Sequence, residues 1–201
     1  MIMSIGIIGS GAIGSAFARA LANAGIEATI ANSRGPESLK DLVDELSPSI
    51  RAGTAAEAAS ADMVLVAVNW KKLPDALANL PAWRDRIVID ANNPIEAPLF
   101  EPVDLGGRAS SEVFAKLVPG ARVVKSFNHL QARLLSSDPK AEGGRRVLFY
   151  SGDDTAAKAE VGALIERLGF FGLDLGPLAT GARLVQFPGG PLPVHNLVKF
   201  G

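Results

Sequence analysis

Residues 6–25 read GIIGSGAIGSAFARALANAG, and the glycines at 9, 11 and 14 constrain the fold more than any other feature. The apolar run Ile5 to Ile8 reads as a buried strand. The stretch Ile13 to Ala24 reads as a helix, with Ile13, Phe17, Ala20 and Leu21 at helical spacing. A G-x-G-x-x-G run that leaves a strand and opens a helix has a division of labour. Gly9 permits the tight turn, Gly11 lets backbone approach a pyrophosphate, and Gly14 lets helix and strand pack closely. The free amides and positive end of the helix then face the phosphates. The loop therefore reads as a dinucleotide cradle. A strand-to-helix turn with incidental glycines is the plainer alternative.

The rest of the chain alternates short apolar runs with amphipathic stretches. Strands are expected at Ala28–Ala31, Ile50–Gly53, Met63–Val68, Ile87–Asp90, Ala121–Phe127, Arg145–Tyr150 and Phe170–Leu175. Helices are expected at Pro36–Leu46, Ala55–Ser60, Leu73–Leu80, Ser110–Val118, 129–136, Asp153–Leu168 and Gly181–Phe187. Asp153 or Asp154 suits the cap of the longest of these, and Gly169 its end. Residues 94–108 carry three prolines and little periodicity, so they read as a long loop of the kind that is often functional. The pattern implies an α/β fold: a doubly wound, mostly parallel sheet of the NAD(P)-binding Rossmann type with a small C-terminal extension. We expect a single domain over 1–201, with residues 1–128 as the dinucleotide-binding core. Residues 129–201 would help form the site of a second ligand.

Composition removes several classes of function. Twenty Lys and Arg nearly balance 21 Asp and Glu, so no basic surplus supports nucleic-acid binding. The absence of cysteine excludes disulfides, thiol catalysis and Cys-based metal sites. The two histidines, His129 and His195, lie far apart, and no metal site is expected from them. No stretch approaches the ~20 apolar residues of a membrane span. No cleavage-type leader is expected from the opening residues. The expectation is a cytoplasmic protein with no membrane partner.

The choice of dinucleotide falls to the end of the second strand, which reads ANSRGPESL. An NAD site usually places Asp or Glu there to hold the ribose 2′-hydroxyl. Here Asn32, Ser33 and Arg34 occupy the slot, and Glu27 comes too early. A hydroxyl and a planar guanidinium suit a 2′-phosphate, and so NADP(H). Ser33 also suits capping the helix that follows, and the two roles are compatible.

Three more strand ends reach the edge where such sheets bind ligands. VAVNW delivers Asn69 and Trp70, the latter a possible wall for the cofactor or a packing residue. VIDANNPI delivers Asn92 and Asn93, whose amides suit the nicotinamide or its ribose, or a plain turn. KSFNHL delivers Asn128 and His129. His129 is the group there that titrates nearest neutrality, which makes it a candidate proton donor or ligand contact; a structural role is the alternative. FPGGPLPVHN could wall the active edge, with His195 a bland surface residue. No Ser-His-Asp order, paired carboxylates or phosphoryl-transfer loop stands out. A Tyr-x-x-x-Lys pair is absent, because Tyr150 is the only tyrosine and Asp154 stands four residues on. Hydride transfer to a carbonyl benefits from a proton donor, whereas a conjugated flavin-like ring asks less of side chains.

Together GIIGSGAIGS, ANSRGPESL, VAVNW, VIDANNP, GARVVKSFN, VLFYSGDD and GGPLPVHNLVKF resemble the F420H2:NADP oxidoreductase family over essentially the whole chain. The resemblance implies that Gly9 to Gly14, with Ser10, Gly11, Ala12 and Ile13, hold the pyrophosphate. It implies that Ser33 and Arg34, beside Asn32, hold the 2′-phosphate. It puts Val68, Asn69 and Trp70, with Ala91, Asn92 and Asn93, around the nicotinamide, and Asn128 and His129 close to a stacked deazaflavin. The implied activity is direct hydride transfer between NADPH and coenzyme F420, by alignment and water exclusion. Two departures stand out. Gly35-Pro36-Glu37-Ser38 follows the Ser-Arg pair where relatives often have a basic residue, and Asn69 stands where they often have Pro. The alternatives are another small-molecule acceptor (flavin, quinone or carbonyl compound) and a non-catalytic NADPH sensor. A homodimer is the expected assembly on base rates.

Overall fold

The structure is a computed structural model, described over residues 3–96 and 99–201. In chain order the elements are β1 (Ile5–Ile8), α1 (Ala12–Asn23), β2 (Ala28–Ala31), α2 (Lys40–Leu46, entered through a 3₁₀ turn at Pro36–Leu39), β3 (Ile50–Ala52), α3 (Ala55–Ala59) and β4 (Met63–Val66). A 3₁₀ turn at Trp70–Lys72 leads into α4 (Leu73–Leu77) and β5 (Ile87–Asp90). There follow β6 (Ile95–Glu96), β7 (Glu101–Pro102), α5 (Ser110–Ala115), β8 (Arg122–Ser126) and α6 (Ala132–Leu135). The chain ends with β9 (Lys140–Ala141), β10 (Gly144–Gly152), α7 (Thr155–Arg167), β11 (Phe171–Asp174), α8 (Leu178–Val185) and β12 (Val198–Lys199).

Eight strands form one path in the order β11-β10-β8-β5-β4-β1-β2-β3, and β9 and β12 pair with β10 to complete a ten-stranded sheet. β1 lies parallel to both β2 and β4, with Ile7 opposite Ile30 and Leu65. The chain leaves β1 toward β2 and β3, then returns to β4 on the other side. The resulting reversal of strand order opens a crevice at the carboxyl ends of β1 and β4. The fold is therefore the mostly parallel, doubly wound α/β sheet that the sequence implies.

Side chains alternate between the sheet's two faces, as period-2 geometry requires. Ile7, Leu65, Ile89, Val124 and Leu148 join Phe17 and Leu21 of α1 and Val161 and Ile165 of α7 in one core. Ile8, Val64, Val66 and Val88 join Leu73, Phe114, Leu178 and Ala182 in the other. Gly6 has no side chain for a reason of space: a Cβ there would collide with the Ala58 carbonyl, so α3 lies directly on β1. The start of α3 is fixed by a capping box: Thr54 Oγ1 accepts from Glu57 N at 3.2 Å, and Glu57 Oε2 accepts from Thr54 N at 2.7 Å.

Several boundaries differ from the sequence expectation. The stretch 94–108 contains the β6–β7 hairpin; residues 97 and 98 lie outside the described residues. The helix expected over 129–136 is confined to Ala132–Leu135. Phe127 takes a left-handed φ of 62°, and the chain then buries His129 and Leu130 before any helix starts. The last helix begins at Leu178, three residues before the expected Gly181. The strand expected at Met63–Val68 ends at Val66, which frees Ala67 and Val68 to line the crevice. β10 runs antiparallel to β8, pairing Tyr150 with Ser126.

Candidate functional site

The crevice holds a cleft of about 500 Å³ lined at its base by Ile8, Gly9, Ser10 and Gly11. Gly9 has φ 106°, a conformation side chains rarely adopt, and a Cβ there would also strike the Ala67 carbonyl. Its N–H donates to Ala31 O at 2.8 Å, which seats the loop against β2. At Gly14 a Cβ would overlap the Gly9 carbonyl oxygen, so α1 can pack on the loop only with hydrogen there. Gly11 is different. Its φ of −73° is ordinary, and a Cβ would meet nothing within 4 Å. The fold itself does not require glycine at 11; a ligand drawn close to the backbone would. No side chain caps α1, and its first turn carries no acid, so its leading N–H groups remain open for an anion. Ala12 and Ile13 form that first turn.

The second wall is the end of β2. Asn32 Nδ2 donates to Ser10 Oγ at 3.0 Å and to Ser38 Oγ at 2.9 Å, and its Oδ1 accepts from Arg34 N at 2.8 Å. Asn32 thus ties the glycine loop to the turn that follows β2. Ser33 and Arg34 are left exposed on the cleft rim, and Arg34 forms no ion pair among the described residues. No carboxylate stands at the end of β2. The far wall consists of Ala55, Val68, Asn69, Lys72, Asp75 and Ala76. Ala55, Lys72, Asp75 and Ala76 were not singled out by the sequence reading. They come from the start of α3, the 3₁₀ turn at Trp70–Lys72 and α4, and only the crossover topology brings them to the same cleft as Arg34.

One strand further along, the ends of β5 and β8 form a second polar group that does not line this cleft. Asn92 Oδ1 accepts from Val68 N at 2.8 Å, and its Nδ2 donates to Asp90 Oδ1 at 2.8 Å. Asn93 and Asn128 clasp each other. Asn128 Nδ2 donates to Asn93 Oδ1 at 2.8 Å, and Asn93 Nδ2 donates to Asn128 O at 3.0 Å. Asn93 Oδ1 also accepts from Phe187 N at 3.1 Å, and Asn128 Nδ2 also donates to Val185 O at 2.7 Å. The sequence reading offered these amides to a ligand; the fold uses them to hold the C-terminal segment against the sheet edge. The Oδ1 of Asn128 remains buried without a partner. Ala91 is buried and donates its N–H to Val66 O at 3.1 Å. Trp70, in the 3₁₀ turn at Trp70–Lys72, is half-buried and packs on the core that holds Leu73 and Phe114; it is not among the residues lining the cleft.

His129 needs a correction. It is 2% exposed, packed on Phe149 with ring centroids 4.7 Å apart, and neither ring nitrogen has a well-formed hydrogen bond. Burial pushes its pKa down to about 4, and the nearby Val147 backbone opposes this only in part. At neutral pH the ring carries no extra proton. It does not line the cleft, and a buried, neutral ring is poorly suited to donate a proton. His195 is exposed.

The sequence reading also passed over the most buried charges in the molecule. Lys125 and Asp90 are both fully buried, with Nζ and Oδ2 3.2 Å apart. Desolvation pushes the Lys125 pKa down, and the Asp90 carboxylate opposes it. A charged residue in the centre of an apolar run was the available signal.

A ten-stranded crossover sheet, a glycine loop opening a helix and a cation-rimmed, acid-free β2 end define a class: a Rossmann-like α/β fold of the kind typical of NADP-binding oxidoreductases. The family described as NADP oxidoreductase, coenzyme F420-dependent, matches over residues 4–94, and the chain belongs to that family. Among solved structures, the hypothetical protein SMa0349 from Sinorhizobium meliloti is 46% identical, with a TM-score of 0.93 over 98% of this chain and 96% of that one. A protein from Arthrobacter sp. FB24, provisionally named an F420-dependent NADP-reductase, is 32% identical, with a TM-score of 0.73 over 88% of this chain and 86% of that one. Metalloreductase STEAP3 of Rattus norvegicus is 30% identical over 98% of this chain. The chain spans 39% and 36% of the length of the curated relatives it matches. Among the described residues, no helix is long and apolar enough to cross a membrane.

Proposed function

We propose that this chain binds NADP(H) along the crevice and transfers hydride between it and a deazaflavin of the coenzyme F420 kind. In this reading the Gly9–Gly14 loop and the open N-terminus of α1 take the pyrophosphate. Ser33 and Arg34 take the 2′-phosphate, and the adenosine lies toward Ala55 and Lys72. The observation that carries the reading is the pairing of an open Gly11 with a β2 end that has a free guanidinium and no carboxylate. When bound, the dinucleotide supplies the hydride. The chain's own residues position the nicotinamide end at Val68 and Asn93, and the clasp of Asn93, Asn128 and Phe187 builds the wall for the second ring. Family membership supports the NADP half of the proposal. The deazaflavin half is supported by the description of the matching family as coenzyme F420-dependent, and ring-to-ring transfer demands little of side chains.

A second reading, with an acceptor other than a deazaflavin, is favoured by the likeness to metalloreductase STEAP3. Mixing NADPH with oxidised F420 and following the deazaflavin absorbance decides between them, with NADH, a free flavin, a quinone and a ferric chelate as parallel arms. The proposal predicts rapid bleaching of F420 with NADPH and slow or none with NADH. Turnover of another acceptor with F420 inert would replace the deazaflavin.

A further inference from the structure

Resting on the NADP(H) reading, we infer that Lys125, held by Asp90, is a positioning residue that sets the peptide presented to the nicotinamide end of the dinucleotide. The argument starts from cost. Both groups are fully buried, and an apolar pair of similar volume is often at least as stable as a buried ion pair. Their geometry shows what the pair achieves. The Asp90 carboxylate receives four donors: Asn92 N at 3.0 Å, Asn92 Nδ2 at 2.8 Å, Ser111 Oγ at 2.6 Å and Lys125 Nζ at 3.2 Å. Lys125 Nζ also donates to the Asn92 carbonyl. With Val68 N on its Oδ1, Asn92 is held at its N–H, its carbonyl and both ends of its amide.

The carbonyl is the part that matters. Lys125 lies on β8, below the strand ends, and draws the Asn92 carbonyl down into the sheet. The Asn92–Asn93 peptide is trans, and in a planar trans peptide the carbonyl and the next N–H point in opposite directions. The Asn93 N–H is therefore turned outward, past the carboxyl ends of the strands, where ligands of such sheets lie. Among the described residues it meets no acceptor. Asn93 cannot swing to hide it, because its side chain is clasped to Asn128 and Phe187 N. The result is a fixed, outward backbone donor one strand from the cleft, suited to a carboxamide oxygen. The same pull locks Val68 N against Asn92, so β4 and β5 present their ends as one rigid rim.

The test uses the purified full chain and two ligands, NADP+ and adenosine 2′,5′-bisphosphate. The second has the 2′-phosphate end but no nicotinamide. Lys125→Met leaves the buried Asp90 without its cationic partner, so the melting temperature should fall. The deciding variant is Asp90→Asn/Lys125→Met, which removes both charges while keeping the amide contacts to Asn92 and Ser111. It should melt near the parent protein, bind NADP+ at least tenfold more weakly and bind the bisphosphate within twofold of the parent. A merely structural role would weaken both ligands alike. Equal losses, or no loss, in the folded double variant would overturn the inference while leaving the NADP(H) reading intact. A parent protein that binds neither ligand would overturn both.

Discussion

Gly11→Ala separates a glycine kept for the ligand from one kept for the fold. Gly11 sits at the N-cap of α1 with φ −73° and ψ −169°, a region open to alanine, and a Cβ there meets nothing within 4 Å. Alanine is a poorer N-cap by roughly 0.5–1 kcal/mol. Replacing glycine at a compatible site restores about 0.4–1 kcal/mol by narrowing the unfolded ensemble. The two nearly cancel, so stability should stay within about 0.5 kcal/mol, or ~2 °C in melting temperature for a chain of this size. The ligand experiences a different change. A methyl group placed where a pyrophosphate approaches the backbone displaces it from at least one charge-assisted N–H bond of about 1.5–3 kcal/mol. That is a ten- to hundredfold loss of NADP+ affinity. Thermal melting followed by calorimetric titration with NADP+ reads both quantities on one sample. Unchanged NADP+ affinity in Gly11→Ala would refute the cradle. A large drop in melting temperature would show that the fold, not the ligand, needs the glycine.

Gly14→Ala should behave in the opposite way: its Cβ would overlap the Gly9 carbonyl, so a loss of about 3 kcal/mol is expected in urea unfolding, before any ligand is added. His129 should make stability depend on pH. Its folded pKa of about 4 lies below the unfolded value near 6.5, so the unfolded chain takes up the proton first. The stability held above pH 6.5 is lost as pH falls toward 4 and levels off below it, with about 2 kcal/mol lost between pH 7 and pH 5. His129→Phe should flatten that interval in denaturant titrations; an unchanged slope would contradict the buried, neutral ring.

The parallel half of the sheet was readable because its strands are short apolar runs closed by glycine or asparagine. Ile5–Ile8 and Ile87–Asp90 appear as read. The β6–β7 hairpin was not, since two-residue strands leave no periodicity to detect. Nor was the antiparallel course of β10, because strand direction depends on which neighbour the connection reaches, not on the strand's own residues. At the site, Gly9, Ser10, Gly11, Asn32, Ser33, Arg34, Val68 and Asn69 do share one cleft. Lys72 and Asp75 escaped because they are ordinary surface residues until the fold sets them on the same cleft as the end of β2. Lys125 escaped because its partner stands 35 residues away, and only pairing of β5 with β8 sets Asp90 opposite Lys125.

Titrating NADP+ and NAD+ separately into the protein and into Arg34→Ala tests the account where it is most exposed. The parent should favour NADP+ by about ten- to hundredfold, the worth of one charged hydrogen bond. In Arg34→Ala that preference should shrink to a few-fold, with NAD+ affinity little changed. Equal affinity for the two nucleotides in the parent, or an equal loss of both in the variant, would contradict it.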